Sequence, residues 1–157
     1  MEKIRLPEGF RLVRFEAAHL PEALDIERAS FSEPWSAESF SRLFLPGTAT
    51  SYALACLSPD GRLAAYGGVQ YILDEAEILN IATSPDFRRL GLGRALMTGF
   101  DDFFASRGIT RVFLEVRASN DPAHSLYLGC GYRDVGVRKN YYTSPTEDAI
   151  IMLKDIM

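Results

Sequence analysis

The sequence predicts a mixed α/β (α+β) protein: a mostly antiparallel central sheet flanked by helices, in the order β-α-α-β-β-β-α-β-α-β-β. Three observations predict it. Short runs of alternating or continuous apolar residues recur between turn residues. Helical periodicity is confined to stretches bounded by Ser, Pro and Gly. Three consecutive strands are followed by a long helix and another strand, which is the order of a βαβ unit after an antiparallel first half.

Phe10 to Phe15 alternates apolar and polar residues and reads as a strand. His19 to Phe31 reads as a helix. Pro21 stands near its start, where a missing N–H is tolerated, and Leu20, Ala23, Leu24 and Phe31 lie near one face. The aromatic loop Phe31-Ser32-Glu33-Pro34-Trp35 follows, and Ser36 N-caps a second helix carrying Phe40, Leu43 and Phe44. Ser51 to Leu57 and Leu63 to Tyr71 are strands joined by the turn Ser58-Pro59-Asp60-Gly61. Gly67-Gly68 inside the second of them suggests a bulge or a close backbone approach. Ala76 to Thr83 is the next strand, broken by Ser84-Pro85-Asp86. Leu92, Leu96, Phe100 and Phe103 fall at helical spacing, so Gly93 to Arg107 is a helix, closed by Gly108. Arg111 to Arg117 is a strand, Pro122 to Leu128 a helix, and Tyr132–Asn140 with Asp148–Lys154 a terminal hairpin.

The 157 residues suit one domain, 1–157, with one core. A net charge of −4 argues against a nucleic-acid partner, which favours a basic surface. No apolar run approaches the roughly 20 residues that span a bilayer. The start, Met1-Glu2-Lys3-Ile4-Arg5, lacks the apolar stretch of a secretory signal. Cys56 and Cys130 form neither a CxxC nor a disulfide framework and read as thiols in a reducing compartment. The expected protein is cytoplasmic, monomeric and not bound to membrane. His19 and His124 lack metal-ligand spacing, so no metal is expected.

The most informative stretch is Ile78 to Thr83 followed by Arg88-Arg89-Leu90-Gly91-Leu92-Gly93-Arg94-Ala95. A strand ends, a glycine-containing loop turns, and a long helix begins. The first turn of a helix offers unpaired N–H groups and partial positive charge, which suits a pyrophosphate. Glycine lets the phosphate approach without meeting a Cβ. Arg88, Arg89 and Arg94 add charge at the same end. The loop lacks the G-x-x-x-x-G-K-[ST] of a P-loop, and G-x-G-x-x-G fails because position 96 is Leu. A bare G-x-G is also compatible with a simple helix-capping turn.

Glu115 interrupts the apolar strand Val112-Phe113-Leu114-Glu115-Val116 and by alternation shares a face with Phe113 and Arg117. An unpaired carboxylate there costs several kcal/mol, roughly. It is either a general base or one half of an ion pair with Arg117 or Arg111. Tyr127, on the short helix that follows, is either a general acid or a core tyrosine. A phenol near pKa 10 beside a thiol near 8.5 can protonate a departing thiolate.

Arg88-x-x-Gly91-x-Gly93 resembles the [QR]-x-x-G-x-[GA] signature of the Gcn-five-related N-acetyltransferase (GNAT) superfamily, and the resemblance runs from about Phe10 to Ile156. It implies the GNAT-type fold in the element order given above, and acetyl-CoA as co-substrate. The loop amides from Arg88 to Ala95, Leu92 among them, would hold its pyrophosphate, and Ile81, Ala82 and Thr83 its pantetheine arm. Leu114-Glu115-Val116-Arg117-Ala118-Ser119-Asn120, Ser125-Leu126-Tyr127 and Gly131-Tyr132 are similar to the bacterial ribosomal-protein-alanine N-acetyltransferases. So is the ending Arg138-Lys139-Asn140-Tyr141-Tyr142 … Glu147 to Met152. Asp121-Pro122 departs from the small residues common there. This resemblance implies Glu115 as base, Tyr127 as acid and Asn120 as a coenzyme A ligand. It implies acceptor walls at Phe31, Trp35, Tyr141 and Tyr142, where Trp35 also reads as a loop anchor on the core and the tyrosine pair as cross-strand packing, and as acceptor the N-terminal amine of a protein, a ribosomal one by analogy; no well-placed Cys or Ser nucleophile suggests a covalent acetyl-enzyme, so direct attack in a ternary complex is expected. An α-amine near pKa 8 is roughly a tenth neutral at pH 7, so a modest base suffices. Two other classes fit the same residues: an acetyltransferase for a small amine, and a non-catalytic acyl-CoA-binding module.

Overall fold

The computed structural model describes residues 3–45 and 50–156; Met1 and Glu2, part of the start read for a secretory signal, lie outside them. Among the described residues the strands are β1 (Arg11–Arg14), β2 (Ser51–Leu57), β3 (Leu63–Ile72), β4 (Glu75–Thr83), β5 (Arg111–Arg117), β6 (Arg133–Tyr142) and β7 (Glu147–Asp155). The helices are α1 (Leu20–Ser30), α2 (Ala37–Leu43), α3 (Leu92–Arg107) and α4 (Asp121–Gly129). The element order is the one expected. The sheet order is β1-β2-β3-β4-β5-β7-β6, so β7 inserts between β5 and β6. Among the described residues only the β4–β5 pair is parallel; it is the seam of the βαβ unit around α3.

The local signals account for the boundaries. The Ser36 hydroxyl accepts from the Ser39 amide at 3.2 Å and starts α2. Pro21 and Pro122 sit in the first turns of α1 and α4. Gly108, at φ +70°, ends α3. Gly67-Gly68 realises both alternatives. The register steps from Gly68↔Asn80 to Val69↔Ile78, so the extra residue of the bulge is Leu79, on the partner strand. A Cβ on Gly68 would stand 2.1 Å from the Phe44 ring.

That bulge swaps the faces of β4. Ala76 and Ile78 pack with Leu96, Phe100 and Val112 in the core under α3. Past Leu79 the alternation is reversed: Asn80 reaches Glu27 on α1, and Ala82 joins the core formed by α1 and α2 with Phe15, Phe40, Phe44 and Tyr66. The central sheet thus separates two apolar clusters.

The second departure from a regular sheet makes the cleft. β4 and β5 pair only over Glu75–Glu77 and Arg111–Phe113. Beyond that, β4 stays bonded to β3 and β5 to β7, and the two strands part. Their facing edges, Ile78 to Ile81 and Leu114 to Arg117, line a cavity of about 670 Å³.

Candidate active site

Glu115 and Tyr127 both line this cavity, as do Ile81 and Asn120. β5 alternation sends Val112, Leu114 and Val116 into the core and Glu115 onto the opposite face. Its side chain is 17% exposed. The ion partner is neither Arg117 nor Arg111 but Arg138, whose Nε lies 3.2 Å from Oε2. Arg138 stands opposite Ala149 on β7, and this small residue lets the guanidinium cross the intervening strand. The approach is out of line for a hydrogen bond, so Oε2 is buried and accepts none. A buried oxygen in this state is ready for a donor from outside the chain.

Tyr127 is buried, and that burial, assisted by Tyr142 and Cys130, pushes its hydroxyl up to about 12. Tyr142 is likewise pushed up to about 12, first by burial and then by the Glu115 charge, which places the two side chains in one electrostatic neighbourhood. Asn120 N-caps α4 by accepting from the Ala123 amide at 3.2 Å and lines the cavity at the same time.

The glycine loop stands at the start of α3. Gly91 adopts φ +76°, where an L side chain would be strained, and no side chain caps the helix. The first helical bond is Ala95 N–H to Gly91 C=O at 3.1 Å, so the amides of Leu92, Gly93 and Arg94 precede the ladder and that of Ala95 is already engaged. Arg88 and Arg89 are exposed, and Arg94 reaches the Gly129 carbonyl at 3.3 Å. A helix start without a side-chain cap, with arginines beside it, fits a diphosphate. Ile81 borders the cavity and packs toward α3, whereas Ala82 is buried in the α1–α2 core; Thr83 is half-buried at the end of β4.

Of the expected acceptor walls, Phe31, Trp35 and Tyr142 line the cavity. Trp35 is also an anchor, 5.2 Å from Phe44 and 5.4 Å from Phe40 between ring centroids. Tyr141 does not line it: it is 49% exposed, its ring packed edge-on against that of Tyr142 at 5.0 Å between centroids and beside Arg138.

Glu27 escaped the sequence reading. It is fully buried on α1 at the cavity floor and accepts from the Trp35 amide at 2.8 Å, from Asn80 Nδ2 at 2.7 Å and from the Tyr66 hydroxyl. Three donors hold this carboxylate. They tie α1, the aromatic loop and the bulged part of β4 together. The signal was present: Glu27 falls four residues after Ala23 and four before Phe31, on the apolar face of its helix. Cys56 is buried, its thiol pushed up to about 11, and Cys130 is half-buried; neither forms a disulfide. Among the described residues no helix is long and apolar enough to cross a membrane.

The profile of the acetyltransferase (GNAT) family matches residues 20–132. The [ribosomal protein bS18]-alanine N-acetyltransferase of Escherichia coli K12 is 41% identical over 139 residues, 87% of this chain and 91% of that one. The crystal structure of the ribosomal-protein-S18-alanine N-acetyltransferase from Escherichia coli superposes with a TM-score of 0.84 at 38% identity, covering 94% of both chains. Arabidopsis thaliana NAA60 in complex with acetyl-CoA shares the fold at 17% identity, with a TM-score of 0.84 and coverage of 94% and 99%. The parted β4 and β5, the glycine turn before α3 and these similarities together establish that the chain belongs to the GNAT acetyltransferase family.

Proposed function

We propose that this protein transfers the acetyl group of acetyl-CoA to the N-terminal α-amine of a protein, a ribosomal protein by analogy with its relatives, within one cytoplasmic domain. The observation that carries the reading is the cleft between β4 and β5, with a buried Glu115 oxygen accepting no hydrogen bond and Tyr127 buried on the facing helix. The coenzyme supplies an activated acyl group. Leu92, Gly93 and Arg94 amides with Arg88 and Arg89 would hold its diphosphate, Ile81 and Thr83 the backbone of its arm, and Asn120 would line its path.

Glu115 Oε2 takes the proton that the attacking amine must lose, and Arg138 at 3.2 Å steadies the carboxylate before that proton arrives. Tyr127 keeps its hydroxyl proton throughout the neutral range because burial raises it, and gives that proton to the departing sulfur. Phe31, Trp35 and Tyr142 enclose the acceptor end and exclude water from it. Glu27, by accepting from the Trp35 amide, keeps that wall in place.

Incubation with acetyl-CoA and an Ala-starting ribosomal peptide, read by mass spectrometry, tests this. One acetyl group on the α-amine is expected. No transfer to any peptide, with transfer to small amines instead, overturns the reading.

A further inference from the structure

Arg117 gathers more partners than the base it neighbours. It ends β5, two residues beyond Glu115 and on the same face, and its guanidinium spans both acceptor walls. One terminal nitrogen donates to the Pro145 carbonyl at 3.1 Å. The other donates to the Thr143 carbonyl at 2.9 Å and to the Ser32 hydroxyl at 3.3 Å. Glu147 Oε2 lies 3.6 Å from the first, and the Tyr142 ring centroid lies 4.5 Å from the guanidinium carbon. The two loops also meet directly, through the Thr143 hydroxyl and the Glu33 carboxylate. Ser32, Glu33, Arg117, Tyr142, Pro145 and Glu147 all line the cavity. The loop after α1 and the loop between β6 and β7 are thus closed against one another along one side of the cleft.

We propose that Arg117 is a positioning residue that sets acceptor selectivity: by clasping the two loops it fixes the width of the acceptor entrance and limits which first residues reach the thioester. The inference rests on the proposed acetylation of protein N-termini.

The physical grounds are two. A wall ordered before the acceptor arrives loses no freedom on binding, so the clasp lowers the acceptor KM rather than raising kcat. A wall held at fixed spacing discriminates by size, whereas a released loop yields to a bulky side chain and discrimination falls. The planar fork of a guanidinium is what reaches two carbonyls and a hydroxyl while its carbon sits over the Tyr142 ring; an ammonium has no such geometry.

The test is steady-state kinetics of the full chain and of Arg117→Ala with two peptides identical except for a first residue of Ala or Phe. The Ala peptide should show a KM raised by about tenfold. The Ala-to-Phe ratio of kcat/KM should narrow by about fivefold or more, with the KM for acetyl-CoA within about twofold of wild type. A ratio that narrows less overturns the inference, whatever the absolute rates, because a merely structural role would lower both peptides together. If Arg117→Ala does not fold, Thr143→Val removes the loop-to-loop contact and should narrow the same ratio by about twofold, and an unchanged ratio there overturns the inference equally. A wild-type chain that acetylates neither peptide overturns the acceptor reading and takes this inference with it; an active wild type with an unaltered ratio in the variant overturns the inference alone.

Discussion

Glu115 combines an ion pair to Arg138 with an Oε2 that accepts no hydrogen bond from the protein, which leaves that oxygen available to an incoming proton donor. Glu115→Gln keeps the shape and removes the proton acceptor. It should lower kcat by about 10²–10⁴. The deficit should be deepest near pH 6, where roughly 1% of an α-amine is neutral, and should shrink toward pH 9, where most of it is neutral without help. A uniform rate ratio from pH 6 to 9 would remove the base role. Tyr127 has a raised hydroxyl pKa, about 12, so its proton is present below that value and lost only as pH rises through it. The rate should show no loss attributable to this phenol until well above pH 9. Tyr127→Phe should slow turnover by about 10²-fold and leave the acetyl-CoA KM within about twofold; wild-type turnover in that variant would exclude it as the acid.

Among the elements, β4 organises the site. Its first three residues pair with β5, its bulge at Leu79 exchanges faces, and its last residues part from β5. The opposite strand makes this possible through Gly68, which lies under the Phe44 ring. That ring is caged by Phe15, Trp35 and Phe40 at centroid distances of 5.3, 5.2 and 5.2 Å, and Phe44 is 2% exposed, so it has nowhere to move. Gly68→Ala should therefore destabilise by about 1–3 kcal/mol. At about 2–4 °C per kcal/mol for a chain of this size, the fall in Tm is measurable by calorimetry. An unchanged Tm would mean that α2 slides without penalty. Because Phe44, Trp35 and the Glu27-bonded loop share one aromatic cluster, the same variant should also weaken the acceptor wall.

Over the whole molecule, a net charge of −4 coexists with Arg88, Arg89 and Arg94 at one end of α3. A ligand that binds only the folded state stabilises it by about 2.7 kcal/mol at one hundred times its Kd. Acetyl-CoA at that excess should raise Tm by about 5–11 °C. Replacing Arg88 and Arg89 with Ala should reduce that rise, and restoring low ionic strength should not recover it. No rise at millimolar acetyl-CoA would contradict the diphosphate site.

Element identities and order were legible because they follow from local chemistry. Ser36 caps, Pro21 and Pro122 enter first turns, Gly108 turns left-handed, and Leu92, Leu96 and Phe100 repeat at helical spacing within a few residues of one another. Glu115 and the glycine turn stood out for the same reason: each breaks a local pattern. What only the tertiary structure decided was which distant segments meet. β7 comes from the end of the chain to lie beside β5, Arg138 crosses it to reach Glu115, and Arg117 joins loops 85 and 28 residues away from it. Such pairings are set by closing the sheet and filling both cores at once, and spacing along the chain carries no record of them.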